Sequence, residues 1–229
     1  MTSSALDTTK IKGIIWDLDN TLYRFDDAFE KACNIASARA AIDMGVQLSL
    51  NEAIVVAESS FEKHGYSGLI FEREYNICFK DYHFKYHDAI DEKIIEANED
   101  MKAELGRLNL PHVILTNASR RWARRVIAHL GLDPWFPDEA IIAQEDSEFT
   151  PKARGPRGFE IALEKLGLPC GEILMVDDMT KNLRIPKDMG LQTALIHHGK
   201  KHDAVPDFVD AEFPDTLALM QAFHHPDRP

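Results

Sequence analysis

Two aspartates, Asp17 and Asp19, end the apolar run in "KGIIWDLDNTLY", with one leucine between them. Strand side chains alternate with a period of two, so residues 17 and 19 are expected on one face. Three other segments close on polar residues in a similar way. "HVILT" ends in Thr116 and Asn117, the loop beyond "AIIAQ" carries Lys152, and "EILMVDD" ends in Asp177 and Asp178, with Asn182 one helical turn later. Singly, each is ordinary: a strand-end aspartate caps a helix or forms a turn, Thr–Asn is turn chemistry, and a lone lysine is solvated. Together they bring carboxylates, a hydroxyl, amides and an ammonium to the ends of separated segments. Clustered carboxylates at a partly buried edge repel one another and require a compensating cation. An oxygen-only ligand set selects a hard divalent ion, and Mg²⁺ fits best. Lysine beside a metal, a threonine and an amide makes a socket for a phosphate-like dianion. The expected chemistry is phosphoryl transfer, in which one carboxylate attacks phosphorus and the other handles protons at the leaving oxygen.

The elements that must hold these residues are legible from the pattern. From Pro111 onward, strand and helix alternate: "HVILT", then "SRRWARRVIAHLG", then "AIIAQ", then "PRGFEIALEKLG" between Pro156 and Gly167. "EILMVDD", the helix "TKNLRIPKDMG" and the strand "LQTALI" follow, with Pro186 expected to kink or shorten that helix. Continuous apolar strands separated by helices indicate a parallel sheet, and ligands of such sheets bind beyond the carboxyl ends of the strands. Between Phe25 and Glu99 the rhythm is different. "FDDAFEKACNIASARAAIDMG" and "SLNEAIVVAESSFEKHG" are helical, the second opening on a Ser49–Glu52 capping box. "FEREYNICFKDYHFKYHDAI" and "DEKIIEANEDMKAELGRL" are helical in pieces. The expectation is an α/β core, residues 1–24 and 100–229, interrupted by a helical module at 25–99. The polar tail "HHPDRP" is expected to be loose.

"DLDNTL", "ILTNA", Lys152 and "VDDMTKN" resemble, in order and context, the motifs of the haloacid dehalogenase-like (HAD) hydrolases. The resemblance implies a Rossmann-like parallel sheet with an inserted helical C1 cap. It also implies an aspartyl-phosphate on Asp17, with Asp19 as the acid and base. Mg²⁺ would be held by Asp17, the backbone carbonyl of Asp19, Asp178 and, in a second and water-mediated role, Asp177, with Asn182 fixing the loop. Thr116 and Asn117 would hold the transferring group, and Lys152 would bridge Asp17 and the phosphate. "DLDNTLY", "DYHFKYH" and the Asn after the acidic pair are most similar to the pyrimidine 5′-nucleotidase-like branch, which implies a nucleoside 5′-monophosphate as substrate. One departure is visible: Lys152 is followed by Ala153 where the family has proline, and Phe159 comes one position late, so Arg154 and Lys165 are alternative basic groups.

Substrate choice is expected in the inserted helices. Tyr82, His83 and His87 are the candidates there, although an aromatic-rich stretch also suits the interior of a small helical module. His83 and His87 share a helix face at a spacing able to bind zinc, but lack a third ligand nearby, so a hydrogen-bonding or solvated role is expected. Composition fits a small-molecule enzyme. A net charge of −12 over 229 residues argues against a nucleic acid polymer as partner, and no apolar run is long enough to span a membrane. The three scattered cysteines and an N-terminus without an apolar signal core suggest a cytoplasmic protein. Other HAD phosphatase activities, on phosphoglycolate or sugar phosphates, are the alternative within the class. A 2-haloacid dehalogenase needs neither the proton donor Asp19 nor the Asp177–Asp178 pair, and a phosphomutase would retain phosphate on the sugar. A phospho-acceptor receiver domain would place its lysine after the acidic pair. A non-catalytic binding protein would tolerate loss of a motif, and all are present.

Overall fold

The structure, a computed structural model, describes residues 6–200 and 205–224. Most of the "HHPDRP" tail, and residues 1–5 of the polar N-terminus, lie outside that range. The chain forms two compact units, one running to Arg24 and resuming at Glu96, the other spanning Phe25–Ile95.

The second unit is helical: α1 (Asp27–Asp43), α2 (Leu50–His64), α3 (Leu69–Glu74) and α4 (Phe79–Ala89). Its boundaries follow local chemistry. The Asp26 carboxylate accepts from the Phe29 amide at 2.7 Å to start α1. Ser49 and Glu52 form a reciprocal capping box at the start of α2, which ends at Gly65 in the left-handed region, φ 67°. α1 packs against both α2 and α4 through small residues, with Ala36, Ala40, Ala53 and Ala57 buried.

The first unit carries six parallel strands: β1 (Gly13–Trp16), β2 (His112–Leu115), β3 (Ile141–Ile142), β4 (Ile173–Asp177), β5 (Gln192–Ile196) and β6 (Ala211–Phe213). Their order is β3-β2-β1-β4-β5-β6. β1 is therefore central, paired with β2 through Trp16–Ile114 and with β4 through Trp16–Val176. Strand order reverses between β1 and β4, and connections diverging from that point leave a crevice at the carboxyl ends. All of β1 and β4 is buried. Ile15, Val113, Leu115 and Met175 form one cluster with Phe159 and Ala162 of α7 (Arg157–Leu166), while Ile14, Trp16 and Val176 alternate onto the other face.

Four details differ from the sequence pattern. β1 stops at Trp16, so Asp19 sits in a turn closed by the amides of Thr21 and Leu22 on the Leu18 carbonyl, and strand alternation does not reach it. "AIIAQ" yields two strand residues, because 3₁₀ turns at Asp138–Ala140 and Gln144–Ser147 flank them. "TKNLRIPKDMG" divides into a 3₁₀ turn at Thr180–Asn182 and α8 (Arg184–Asp188), with Pro186 in the first turn of α8, where no intrahelical amide is needed. β6 and α9 (Thr216–Ala222) carried too few residues to stand out in the sequence. The remaining helices of this unit are α5 (Glu99–Arg107) and α6 (Arg120–Leu130).

Candidate active site

The register of β1 against β4 sets the first contacts. The Asp17 amide continues the ladder, donating to the Val176 carbonyl at 2.9 Å, which brings Asp17 beside Asp177. Both side chains are buried, and Lys152 lies between them. Its Nζ is 2.5 Å from Asp17 Oδ1 and 2.5 Å from Asp177 Oδ2. The other Asp17 oxygen accepts from Thr21 Oγ1 at 3.0 Å, and the other Asp177 oxygen from Asn182 Nδ2 and the Met179 amide, both at 2.9 Å. Arg154 is exposed, and Lys165 is exposed in the last turn of α7. The altered spacing after Lys152 thus leaves its ammonium on Asp17.

Lys152 is delivered by its own loop. Glu148 and Phe149 both have positive φ, 54° and 61°, reversing the chain after the Gln144–Ser147 turn. The Lys152 amide then donates to Asn117 Oδ1 at 2.9 Å, tying that loop to the end of β2. Thr116, next to Asn117, is held by the ladder through its amide on the Ile142 carbonyl at 2.9 Å. Its Oγ1 accepts from the Ala118 amide at 3.0 Å and donates to Asp19 Oδ2 at 3.2 Å.

Asp19 is further engaged at Oδ1 by Tyr23 OH at 2.6 Å and Trp122 Nε1 at 2.8 Å. Asp178 is half-buried and accepts from Asn20 Nδ2 at 2.7 Å. Asn20 holds a left-handed backbone, φ 58°, and its carbonyl accepts from His198 Nε2 at 2.6 Å. The structure therefore brings together Asp17, Asp19, Thr116, Asn117, Lys152, Asp177, Asp178 and Asn182.

The electrostatics are out of balance. Burial pushes the Asp17 carboxyl up; Lys152 opposes this, while Asp177 and Asp19 add to it. Asp178 is raised too, by burial and then by the charges of Asp177 and Asp17. Asp19 is raised by burial, against its bonds from Tyr23, Trp122 and Thr116. Burial works against the Lys152 ammonium, but Asp17 and Asp177 outweigh it and raise its pKa. Asp17, Asp177 and Asp178 offer oxygens all within 4.8 Å of one another. With Lys152 counted, these side chains retain a surplus of negative charge when ionised, and a divalent ion with oxygen ligands neutralises it. The residues fit Mg²⁺.

The helical unit's candidates occupy its interior. Tyr82 is fully buried, with its hydroxyl 2.6 Å from Ser37 Oγ. His83 and His87 are buried rather than solvated, their ring centroids 4.4 Å apart, and His87 Nδ1 lies 2.7 Å from the His83 carbonyl.

Thr21, Asn20 and Tyr23 entered the sequence reading only as parts of the "DLDNTLY" motif, with no contact foreseen for them, and Trp122 did not enter it as a site residue. Thr21 and Tyr23 each follow an aspartate by four residues, a spacing a tight turn after a strand brings into contact. Trp122 and Asp19 are 103 positions apart, and no local signal connects them.

The chain is similar to known proteins over most of its length. Residues 11–190 match the family described as haloacid dehalogenase-like hydrolase. The glyceraldehyde 3-phosphate phosphatase of Methanocaldococcus jannaschii is 26% identical over 86% of this chain and 90% of its own. The phosphoglycolate phosphatase of Pectobacterium atrosepticum is 25% identical over 93% of each. Among solved structures, the magnesium-bound HAD-hydrolase YfnB of Bacillus subtilis superposes with a TM-score of 0.62 at 16% identity, covering 93% of this chain and 98% of that one. The L-2-haloacid dehalogenase of Xanthobacter autotrophicus does so at 0.62 and 15%, covering 94% and 99%. On the match over residues 11–190, this chain belongs to the haloacid dehalogenase-like hydrolases.

Proposed function

We propose that the protein is a Mg²⁺-dependent phosphomonoesterase acting on a small phosphorylated metabolite through an aspartyl-phosphate. The observation that carries this reading is the buried Lys152 between Asp17 and Asp177, beside an Asp19 held by three donors. Asp17 attacks phosphorus while Asp19 gives its proton to the departing alkoxide. Asp19 then takes a proton from the water that attacks the aspartyl-phosphate, which restores both carboxyl groups. Lys152 offsets charge on Asp17 and on the phosphoryl oxygens. Thr116 Oγ1 and the Asn117 amide orient the transferring group; the Asn117 carbonyl is already engaged by the Lys152 amide, which leaves its NH₂ as the donor. Asp17, Asp178, the Asp19 carbonyl and Asp177 would hold Mg²⁺, whose chemistry there is neutralising the charge of the phosphoryl group. Asn182 braces Asp177. The helical unit, Phe25–Ile95, serves as the cap that selects substrate and excludes water.

A dehalogenase attacks carbon and expels halide, so it has no use for a proton donor or a metal-binding acidic pair. Two substrate classes are carried within the phosphatase reading. "DLDNTLY" favours a pyrimidine nucleoside 5′-monophosphate. The names of the relatives favour short-chain phosphates such as glyceraldehyde 3-phosphate and phosphoglycolate. Phosphate release is to be measured over these compounds and p-nitrophenyl phosphate, with Mg²⁺ and with EDTA. Metal-dependent release is expected, with kcat/KM ranking the two classes. Release unaffected by EDTA, or halide release from 2-chloropropionate instead, would overturn the reading.

A further inference from the structure

We infer that Tyr23 and Trp122 are positioning residues that reserve one oxygen of Asp19 for proton transfer to the leaving group. This deepens the phosphatase reading and rests on it. A carboxylate oxygen has two lone-pair sites. Both sites of Asp19 Oδ1 are taken, by the Tyr23 hydroxyl at 2.6 Å and the Trp122 indole N–H at 2.8 Å. Oδ2 accepts only from Thr116 Oγ1 at 3.2 Å among the described hydrogen bonds, and this contact turns Oδ2 toward the end of β2, where the phosphoryl group is proposed to bind. The indole donates and cannot accept, so Oδ1 has no proton to give to Trp122.

Both donors are themselves held. Tyr23 is 6% exposed and Trp122 2% exposed. Trp122 lies in the first turn of α6, its amide bonded to the Ser119 cap at 3.2 Å, so the indole is set by the start of that helix. Tyr23 leaves the turn that closes over β1. Donors from two separated segments thus define the plane of one carboxyl group. In the first half-reaction, the Asp17–phosphorus bond forms as the phosphorus–alkoxide bond breaks, and the Oδ2 proton moves to the alkoxide. In the second, water attacks phosphorus and returns a proton to Oδ2, as the Asp17–phosphorus bond breaks.

The experiment separates this role from a structural one by the leaving group. A p-nitrophenolate leaves without a proton, whereas an alkoxide from an alkyl phosphate requires one. Trp122→Phe and Tyr23→Phe are to be assayed with the preferred alkyl phosphate and with p-nitrophenyl phosphate, thermal unfolding being followed in parallel. The ratio of kcat/KM for alkyl over aryl substrate is expected to fall by about tenfold in each variant, a part of the usual contribution of a positioned general acid. The same factor lost on both substrates, or none lost on either, would overturn the positioning role while leaving the phosphatase reading intact. Tyr23→Phe removes a single oxygen and serves where the indole replacement unfolds the chain. A wild-type protein inert toward both substrates overturns the phosphatase reading, and this inference with it.

Discussion

The two units bury polar side chains to different ends. In the helical unit, Ser37, Tyr82, His83 and His87 lie inside, and each group there can be neutral. Tyr82 and Ser37 satisfy one another, and burial, with His87 adding to it, pushes the His83 pKa down to about 3. At the carboxyl edge of the sheet, Asp17, Asp177 and Lys152 are buried as well, and Lys152 is charged because two carboxylates hold it. Neutral polar burial is a packing solution, because a neutral group needs hydrogen-bond partners but no counter-charge. Charged burial that leaves a surplus of one sign is stable only with a further ion or ligand. The contrast supports placing the proposed chemistry at the sheet edge, and it agrees with a sequence in which the aromatic-rich helical stretch already suited an interior.

The comparison breaks hardest at the proposed nucleophile. Asp17→Asn keeps the shape and removes the attacking oxygen; phosphate release is expected to drop by about a thousandfold or more, read as kcat/KM. Full activity would remove Asp17 from the mechanism. Lys152→Met tests the charge imbalance. It leaves two buried carboxylates facing each other, and chemical denaturation is expected to show a loss of about 3 kcal/mol, with added Mg²⁺ restoring part of it. An unchanged midpoint would mean that the edge is wetter than its burial indicates.

The helical interior is tested by acid. The folded pKa of His83 lies below its unfolded value near 6.5, so the unfolded chain binds the extra proton first. Stability is therefore intact above about pH 6.5 and falls on acidification toward pH 3, by up to about 1.4 kcal/mol per pH unit. His83→Phe is expected to flatten that slope between pH 6 and 4; a slope equal to wild type would place the titration elsewhere. The smallest effect is expected at Ser37→Ala, about 1 kcal/mol from the lost partner of Tyr82, with little further loss when Tyr82→Phe is added. Additive losses in the double variant would show that the two hydroxyls are not coupled.

The edge was legible because its residue types are extreme. A strand-end aspartate alone is ordinary, but two apolar strands, "GIIW" and "ILMV", run into acidic residues while two further segments bring Thr116, Asn117 and Lys152, and that convergence is what the sequence shows. Asp19 was expected for a reason that the structure replaces: a turn, not strand alternation, brings it to Thr116. Trp122 was illegible because its role depends on where α6 starts relative to β1, a tertiary fact that no window around either residue contains. The short β6 was missed for a related reason. Three residues have no periodicity to read, and β5 supplies the ladder that makes them a strand. In the helical unit, helix boundaries came from caps and glycines, whereas the burial of His83 and His87 depends on packing that spacing alone does not give.

Asp17 follows the central strand, and that has a mechanical consequence. Ile14 to Trp16 are tied to β2 on one side and to β4 on the other, and the Asp17 amide itself is bonded to Val176. A strand clamped along both edges cannot slide or tilt without breaking ladder bonds on each side. The backbone of the proposed nucleophile is thus a fixed seat, so any movement that opens this edge must be made by the connections beyond the strand ends.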